Sequence, residues 1–241
     1  MAILNQEALA KQFWQEGYLV LTGYFNKELM DQYNRIILDH FGDDPAYAHD
    51  EHFLNKSQTE VIPWFPQQQG MDTFDTVEKD AGLKQLSEAI MGEGWYSLYC
   101  MAMFSRKGSK GQAWHQDCVP SKSGIYNLNR LVYTHDISEA SGGQLIVVPG
   151  SHRRGELTVG KVNEDFSDQR VLAPNKGDLV LIHGHCWHRV APVEGTYRVS
   201  INYRSAAQHT PKDVTDVCVY RNMRYRFSTN SVVEERLGFN T

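Results

Sequence analysis

The sequence has few cysteines, no long hydrophobic run and no excess of basic residues. Only four of its 241 residues are cysteine, and they lie far apart without a C-x-x-C pair, which argues against a disulfide framework and indicates a reducing compartment. No apolar run approaches the length of a membrane span, and the N-terminal segment lacks the apolar centre of a signal peptide. The formal net charge is −5, so no basic field would recruit nucleic acid or an anionic membrane. We therefore expect a cytoplasmic protein, monomeric or homodimeric, that binds neither nucleic acid nor membrane.

The composition is that of an ordinary globular protein. Hydrophobic residues make up 41% and charged residues 22% of the chain, and the length suits one domain with a substantial core. The pattern changes along the chain. We predict a single domain over residues 1–241, in which residues 1–95 form a helical cover with a lid and residues 96–241 form a β-rich core.

The N-terminal part shows helical periodicity, interrupted by one short strand and one long aperiodic segment. Apolar residues at helical spacing predict a helix over 5–14, a second helix that begins after an Asn26 N-cap, and a third over 80–91 that ends at Gly92. The apolar run at 18–21 lies between two glycines and predicts a strand. The segment 45–70 holds prolines, glycines and several glutamines, and we predict a long loop or lid there.

The C-terminal part contains short β-like runs separated by turn residues. The predicted strands cover 96–104, 129–136, 144–148, 178–183 and 198–204. Between them lie turn clusters such as KGSKG, EASGG, PGSHRRG, PNKGD and PVEGT. Many short strands at this spacing are typical of a sandwich or jelly roll. The fold class predicted is mainly β with flanking helices (α+β).

The motif Trp114-His115-Gln116-Asp117 is a candidate for two ligands of a metal site. Residues two apart on a strand point to the same face, so His115 and Asp117 would converge. An imidazole and a carboxylate are two-thirds of the 2-His-1-carboxylate site of non-haem iron(II) oxygenases.

The third ligand would come from the segment GDLVLIHGHCWHRVAP. It offers His183, His185 and His188, and chemistry alone does not choose among them. A zinc site formed by all three, H-x-H-x-x-H, is a competing hypothesis. The spacing matches no standard closed zinc pattern, and no cysteine pair lies nearby. Neutral hydrogen-bonded rings beside a strand are the simpler interpretation of His183 and His185.

Arg198 and Ser200 are candidates for binding a carboxylate. They lie two residues apart on a predicted strand and so share a face, and a guanidinium fork beside a hydroxyl suits bidentate carboxylate binding. The distal carboxylate of 2-oxoglutarate needs such a partner when its keto-acid end chelates iron. A surface ion pair between Arg198 and Glu194 is the alternative.

Several motifs in order along the chain resemble the phytanoyl-CoA dioxygenase-like family of Fe(II)/2-oxoglutarate-dependent oxygenases. FWQEGYLVLTGYF is similar to the family's N-terminal motif, and KGSKGQAWHQD to the loop that leads into its H-x-D pair. DISEASGGQLIVVPGSH resembles its acidic, glycine-rich turn with a PGSH signature. The last histidine of GDLVLIHGHCWH, His188, aligns with the family's distal iron ligand, and Arg198 in YRVSINYR with the arginine that binds 2-oxoglutarate.

The resemblance implies a fold, a set of cofactors and a role for each candidate residue. The fold would be a cupin-like double-stranded β-helix jelly roll with a helical N-terminal cover. Iron would be held by His115, Asp117 and His188, and the co-substrate by Arg198, with Ser200 and Gln112 as further contacts to it. The cofactors would be Fe(II), 2-oxoglutarate and O2. The expected reaction is hydroxylation of an unactivated C–H bond, with release of succinate and CO2.

Other outcomes stay open at this stage. The same cofactors serve oxidative cyclisation, desaturation and epimerisation, and a jelly roll can also bind metal without turnover. Asp117 occupies the position that related halogenases leave to chloride, which argues against halogenation. For the substrate we expect a small polar metabolite or natural-product intermediate, because no extended basic patch suits an acyl-CoA diphosphate. Candidate pocket residues are Trp114, Trp187, Tyr126, Asn127, Arg130, Trp64 and Phe65.

Overall fold

The computed structural model describes residues 5–46, 49–121 and 123–237. Its helices are α1 (Gln6–Glu16), α2 (Lys27–Phe41), α3 (Glu51–Ser57), α4 (Asp75–Glu78) and α5 (Ala81–Met91). Its strands are β1 (Tyr18–Leu21), β2 (Ile62–Trp64), β3 (Tyr96–Arg106), β4 (Gln112–Gln116), β5 (Asn127–Tyr133), β6 (Leu145–Val147), β7 (Arg170–Leu172), β8 (Leu179–His183), β9 (His188–Val190), β10 (Tyr197–Ala206), β11 (Val217–Tyr220), β12 (Met223–Arg226) and β13 (Ser231–Glu235).

Two antiparallel sheets form the body of the protein. The strand orders are β1-β8-β5-β10-β3-β2 in the six-stranded sheet and β13-β12-β11-β4-β9-β6-β7 in the seven-stranded sheet. A buried apolar cluster joins Tyr133 and Val180 of the first sheet to Leu145 and Val147 of the second, so the sheets face one another. This arrangement is a jelly roll, and the predicted fold class is confirmed.

Helices cover the outer face of the six-stranded sheet, as the N-terminal periodicity predicts. Phe13 of α1, Met30 of α2 and Leu86 of α5 lie in one buried cluster with Leu181 and Ile201 of that sheet. The caps explain the helix boundaries, because the side chains of the three N-cap residues accept a backbone N–H and a glycine with positive φ ends each of the three helices. The caps are Asn5, Asn26 and Asp80, and the glycines are Gly17, Gly42 and Gly92.

The central strand β10 has two different faces, although almost its whole length is buried. Its apolar side chains Val199, Ile201 and Tyr203 lie in the cluster beneath the helices. The alternate residues, which must point to the interior between the sheets, are Arg198, Ser200, Asn202 and Arg204, and all four are buried. A row of polar groups inside a jelly roll requires partners there, and this row marks the functional site.

The prediction of a loop over 45–70 is wrong for much of that segment. The structure places α3, β2 and a 3-10 turn, Pro66–Gln69, within it. Asp50 caps α3 through a hydrogen bond from Phe53 N at 2.7 Å, and the ring of Phe53 is fully buried. A helix of only seven residues offers too few turns for a visible period, so tertiary packing of Phe53 defines it. The segment nevertheless borders a cavity, as described below.

The remaining differences concern short strands and the division of the chain. Strands β2, β7, β9 and β11 to β13 are not among the predicted strands, and β4 is expected only from the alternation of His115 and Asp117. Strand β1 has the predicted bounds, and the five strands predicted in the C-terminal part appear with ends shifted by up to three residues. Both β1 and β2 belong to the first 95 residues, yet they form the two edges of the six-stranded sheet. The four cysteines are free and buried. Among the residues that the structure describes, no helix has the length and apolarity to cross a membrane.

Candidate metal and co-substrate site

Three side chains from the ends of two paired strands meet inside the jelly roll. His115 on β4 and His188 at the start of β9 are direct cross-strand partners, and Asp117 follows β4 by one residue. One ligand atom from each of the three lies within 4.8 Å of the others, and all three residues are buried. Within the described ranges this is the only group of three or more His, Cys, Asp or Glu side chains with such geometry. It matches the donor set of a 2-His-1-carboxylate site.

Backbone hydrogen bonds orient both imidazoles with the same nitrogen toward the common point. His115 Nδ1 lies 2.8 Å from Ala113 O, and His188 Nδ1 lies 2.8 Å from Cys186 O. A carbonyl oxygen only accepts, so Nδ1 carries a proton in each ring and Nε2 is the nitrogen left to face the common point. Burial and the neighbouring His188 lower the pKa of His115 to about 3, which keeps this ring neutral and ready to bind a metal at ordinary pH.

Asp117 is ionised and held by hydrogen bonds on both carboxylate oxygens. Burial alone would raise its pKa, but the adjacent charge of the Arg204 guanidinium is the largest of the effects that lower that pKa to about 2. Arg204 donates to Oδ1, and Asn129 donates to Oδ2 at 2.7 Å. His188 Nε2 lies 3.4 Å from Oδ2. The donor set therefore consists of two imidazoles and one carboxylate, which fits a divalent iron ion.

The hypothesis of a zinc site formed by three histidines is wrong. His183 stacks on Tyr126 with ring centroids 4.2 Å apart, and its Nδ1 accepts a hydrogen bond from His185 N at 3.0 Å. Neither ring joins the group that contains His188. Burial lowers the pKa of His183 well below its ordinary value and that of His185 to about 4. Both are neutral core histidines, as the simpler interpretation predicts.

Arg198 is a buried cation without a carboxylate partner in the described part of the chain. Its Nε donates to Gly143 O at 2.8 Å, and the two terminal nitrogens lie 3.1 Å from Ser200 Oγ and 3.5 Å from Tyr133 OH. All three partners are uncharged, and only 3% of the residue is exposed. The alternative of a surface ion pair with Glu194 is therefore wrong. A guanidinium excluded from water requires an anion, and a bound carboxylate would satisfy it.

Two of the three predicted co-substrate residues line one narrow cavity together with the metal group, and the third, Ser200, contacts Arg198 behind the wall. Arg198, Gln112, His115, Asp117 and His188 all border it. Gln112 Nε2 lies 3.1 Å from His115 Nε2, the nitrogen that faces the metal position. Ser200 Oγ contacts Arg198 and is fully buried. The structure thus brings together all six residues predicted for this site.

Four residues around Asp117 are not among those predicted from the sequence. They are Asn129, Asn202, Arg204 and Tyr99. Asn202 Nδ2 donates to Asn129 Oδ1 at 2.8 Å, and Arg204 donates to Tyr99 OH at 2.9 Å. The signal was present for two of them, because extending the two-residue alternation of Arg198 and Ser200 along the same strand reaches Asn202 and Arg204.

A second and larger cavity, of about 410 Å³, meets the narrow one at the metal group. Its size is within the range of small-molecule sites. Its walls are mainly apolar, and the shared border is formed by four residues. The apolar walls include Val61, Pro63, Phe65, Met101 and Phe227. The border residues are Met103, Gln112, Asp117 and Arg204.

Of the seven residues proposed from sequence for the substrate pocket, only Phe65 lies on the wall of this cavity. Trp64 is buried and stacks on His40 with centroids 3.9 Å apart. Arg130 donates to Tyr203 O and pairs with Glu78 on the helical side of the sheet. Closeness to a motif along the chain is a poor guide here, because alternate residues of a strand face opposite sides. Trp114, Trp187, Tyr126 and Asn127 are also buried in packing.

A jelly roll that buries two histidines and one aspartate at a common point has the architecture and donor set of the non-haem iron(II) oxygenases. The sequence match gives the family. The chain belongs to the phytanoyl-CoA dioxygenase family, since the family described as Phytanoyl-CoA dioxygenase (PhyH) matches residues 13–196. This family consists of iron- and 2-oxoglutarate-dependent enzymes that use O2, so the predicted family and cofactors are confirmed. No curated protein matches the sequence significantly.

Two solved structures share the fold at low identity. The epimerase SnoN, in complex with Fe3+, alpha ketoglutarate and nogalamycin RO, is 17% identical with a TM-score of 0.62, over 90% of this chain and 86% of that one. HygX from Streptomyces hygroscopicus, with nickel, 2-oxoglutarate and hygromycin B bound, is 14% identical with a TM-score of 0.63, over 86% of this chain and 88% of its own. At these identities the likeness concerns the fold alone.

Proposed function

We propose that this protein is an Fe(II)/2-oxoglutarate-dependent dioxygenase that hydroxylates an unactivated C–H bond of a small-molecule substrate. Iron binds to His115 Nε2, His188 Nε2 and one oxygen of Asp117. Arg198, supported by Ser200, holds the distal carboxylate of 2-oxoglutarate. The observation that carries the proposal is the buried guanidinium of Arg198, which lacks a charged partner in the described residues and borders the same narrow cavity as the metal group.

The residues of the chain position the reactants, whereas the oxidative chemistry belongs to the cofactors. Bound iron supplies the activation of O2, coupled to decarboxylation of 2-oxoglutarate to succinate and CO2. His115, Asp117 and His188 would hold the ion, and a set of only three protein ligands would leave room for the co-substrate in the narrow cavity that Arg198 borders. Gln112, beside His115, is placed to donate a hydrogen bond to the co-substrate.

The larger cavity indicates the kind of substrate. A mainly apolar wall that reaches the metal group at Asp117 suits an aliphatic or aromatic ring body with its target C–H bond turned toward the iron. The guanidinium on this wall is that of Arg204, and Asp117 already pairs with it. No free basic side chain thus remains among the described lining residues for the diphosphate of an acyl-CoA. We therefore propose a natural-product intermediate or metabolite that is less polar than the small polar compound expected from the sequence.

The test is a substrate screen with product analysis under labelled oxygen. Apo-protein loaded with Fe(II) is incubated with 2-oxoglutarate, ascorbate, ¹⁸O2 and a panel of ring-containing compounds, and succinate release is measured for each. A substrate should accelerate succinate release, and its product should gain one oxygen atom that derives from O2. A product that loses two hydrogen atoms would instead show desaturation or cyclisation, and an isomer of unchanged mass would show epimerisation. Either result would contradict hydroxylation but would still support Fe(II) and 2-oxoglutarate as the cofactors. Turnover confined to acyl-CoA thioesters would contradict the substrate class.

A further inference from the structure

Both oxygens of the Asp117 carboxylate are held by side chains from the opposite sheet. Arg204 of β10 donates to Oδ1, and Asn129 of β5 donates to Oδ2 at 2.7 Å. Asn129 is itself fixed by Asn202 Nδ2 at 2.8 Å. The six-stranded sheet therefore controls the orientation of a ligand that lies at the end of a strand in the other sheet.

Of these two donors, only Arg204 carries a charge. Its side chain is 9% exposed and that of Asp117 is 2% exposed, so the pair is almost removed from solvent and its electrostatic attraction is poorly screened. A second hydrogen bond, to Tyr99 OH at 2.9 Å, fixes the guanidinium. Asp117 provides the one negative charge of the proposed metal ligand set. A divalent metal ion and Arg204 must therefore share that charge.

We propose that Arg204 is a positioning residue that fixes the Asp117 carboxylate through Oδ1 and lowers the affinity of the site for divalent metal by offsetting the carboxylate charge. This inference rests on the metal site of the proposed function. Arg204 and the metal ion would compete as the cationic partner of Asp117. Without Arg204 the metal-free protein holds a buried carboxylate with no cation, and a metal ion becomes the cation that Asp117 needs.

The experiment measures metal affinity and stability of the metal-free protein, neither of which requires a substrate. Co(II) is the probe, because it resists oxidation and its visible absorption reports coordination. Arg204→Met removes the charge and both hydrogen bonds at similar side-chain length. We expect its Co(II) dissociation constant to fall about tenfold or more, the size typical of removing a like charge from a poorly solvated site. The metal-free variant should melt at a lower temperature than the parent, and Co(II) should raise its melting temperature by more.

Three variants separate charge from other effects. Arg204→Lys keeps the charge and should bind Co(II) within about threefold of the parent. Asn129→Leu removes the other donor to Asp117 without a change of charge and should not tighten binding. Arg130→Met removes a buried arginine that pairs with Glu78 away from the metal group, and it should lower the melting temperature while leaving Co(II) affinity unchanged. Arg204→Gln replaces Arg204→Met if the latter does not fold, with the same expected tightening.

The outcomes are distinct. Equal or weaker Co(II) binding by the uncharged Arg204 variants would overturn the inference, and equal tightening in Asn129→Leu would show that freeing the carboxylate, not removing the charge, is responsible. If the parent protein binds neither Co(II) nor Fe(II), the proposed metal site itself fails. If the parent binds metal and 2-oxoglutarate while the Arg204 variants behave as the parent does, only the role of Arg204 fails.

Discussion

Replacing Arg198 with methionine is expected to weaken 2-oxoglutarate binding by about two to three orders of magnitude without weakening iron binding. The guanidinium is buried and its three hydrogen-bond partners are uncharged. A charge-assisted hydrogen bond contributes about 1.5–3 kcal/mol, and a bidentate carboxylate pair contains two of them. A loss of about 3–4 kcal/mol corresponds to a factor of about 10²–10³ in affinity.

The same substitution should leave the stability of the metal-free protein unchanged or higher. Removing a buried ionic side chain usually destabilises a protein, because its charged partner is left buried without a counter-charge. Arg198 leaves only neutral acceptors: Gly143 O, Ser200 Oγ and Tyr133 OH. Moreover, methionine does not have to be desolvated as an ion. This combination of large loss in co-substrate affinity and no loss in stability distinguishes a co-substrate residue from a structural one.

The assay is anaerobic titration of the Fe(II)-loaded protein with 2-oxoglutarate, followed by the visible metal-to-ligand charge-transfer band. Urea unfolding of the metal-free protein gives the stability. Arg198→Lys is the matched control, because it keeps the charge but not the planar fork. Its affinity for 2-oxoglutarate should lie between that of the parent protein and that of Arg198→Met. A change in 2-oxoglutarate affinity of less than about threefold in Arg198→Met would refute the reasoning, as would equal weakening of iron binding.

Three further predictions concern the ligands, the pH dependence and the cavity. His188→Ala should abolish 2-oxoglutarate turnover and His185→Ala should retain iron binding, as measured by iron content and succinate release; the reverse pattern would show that the wrong histidine is assigned. Burial lowers the pKa of His135 to about 4, so below about pH 6.5 the unfolded chain takes up a proton that the folded protein does not, and stability is lost as the pH falls toward 4. A fall from pH 7 to pH 5 should lower the free energy of unfolding by about 2 kcal/mol through this histidine. The free energy of unfolding of His135→Phe, measured in urea, should therefore depend less steeply on pH than that of the parent protein, and an unchanged dependence would contradict the assignment. Met101→Trp should fill part of the larger cavity and reduce substrate-dependent succinate release without altering the charge-transfer band, whereas unchanged turnover would place the substrate elsewhere.

The sequence carried most of the information about the polar side of the site. Alternation along a strand correctly brings His115 and Asp117 together, and Arg198 and Ser200 together, because a buried strand has a strict two-residue period. The choice of His188 over His183 and His185 depended on family resemblance. Its geometric basis is the cross-strand pairing of His188 with His115, which is a long-range contact.

Features that depend on contacts between distant segments of the chain could not be predicted from the sequence. The seven residues of α3 are helical because Phe53 packs against Tyr220 and Tyr225, with ring centroids 5.5 and 4.3 Å away. The wall of the larger cavity combines residues from the segment 45–70 with residues beyond position 200, so closeness along the chain could not identify it. Asn129 lies within hydrogen-bonding distance of Asp117 only because the two sheets face one another. The extent of the single domain and the oligomeric state stay predictions.

The central claim is that His115, Asp117 and His188 hold an iron ion that 2-oxoglutarate chelates. Anaerobic addition of Fe(II) to the metal-free protein, followed by 2-oxoglutarate, tests it most directly. We expect a visible metal-to-ligand charge-transfer band to appear with a stoichiometry of one iron per chain, and to be absent in Asp117→Ala. Iron binding without the band, or an unchanged band in Asp117→Ala, would contradict the claim.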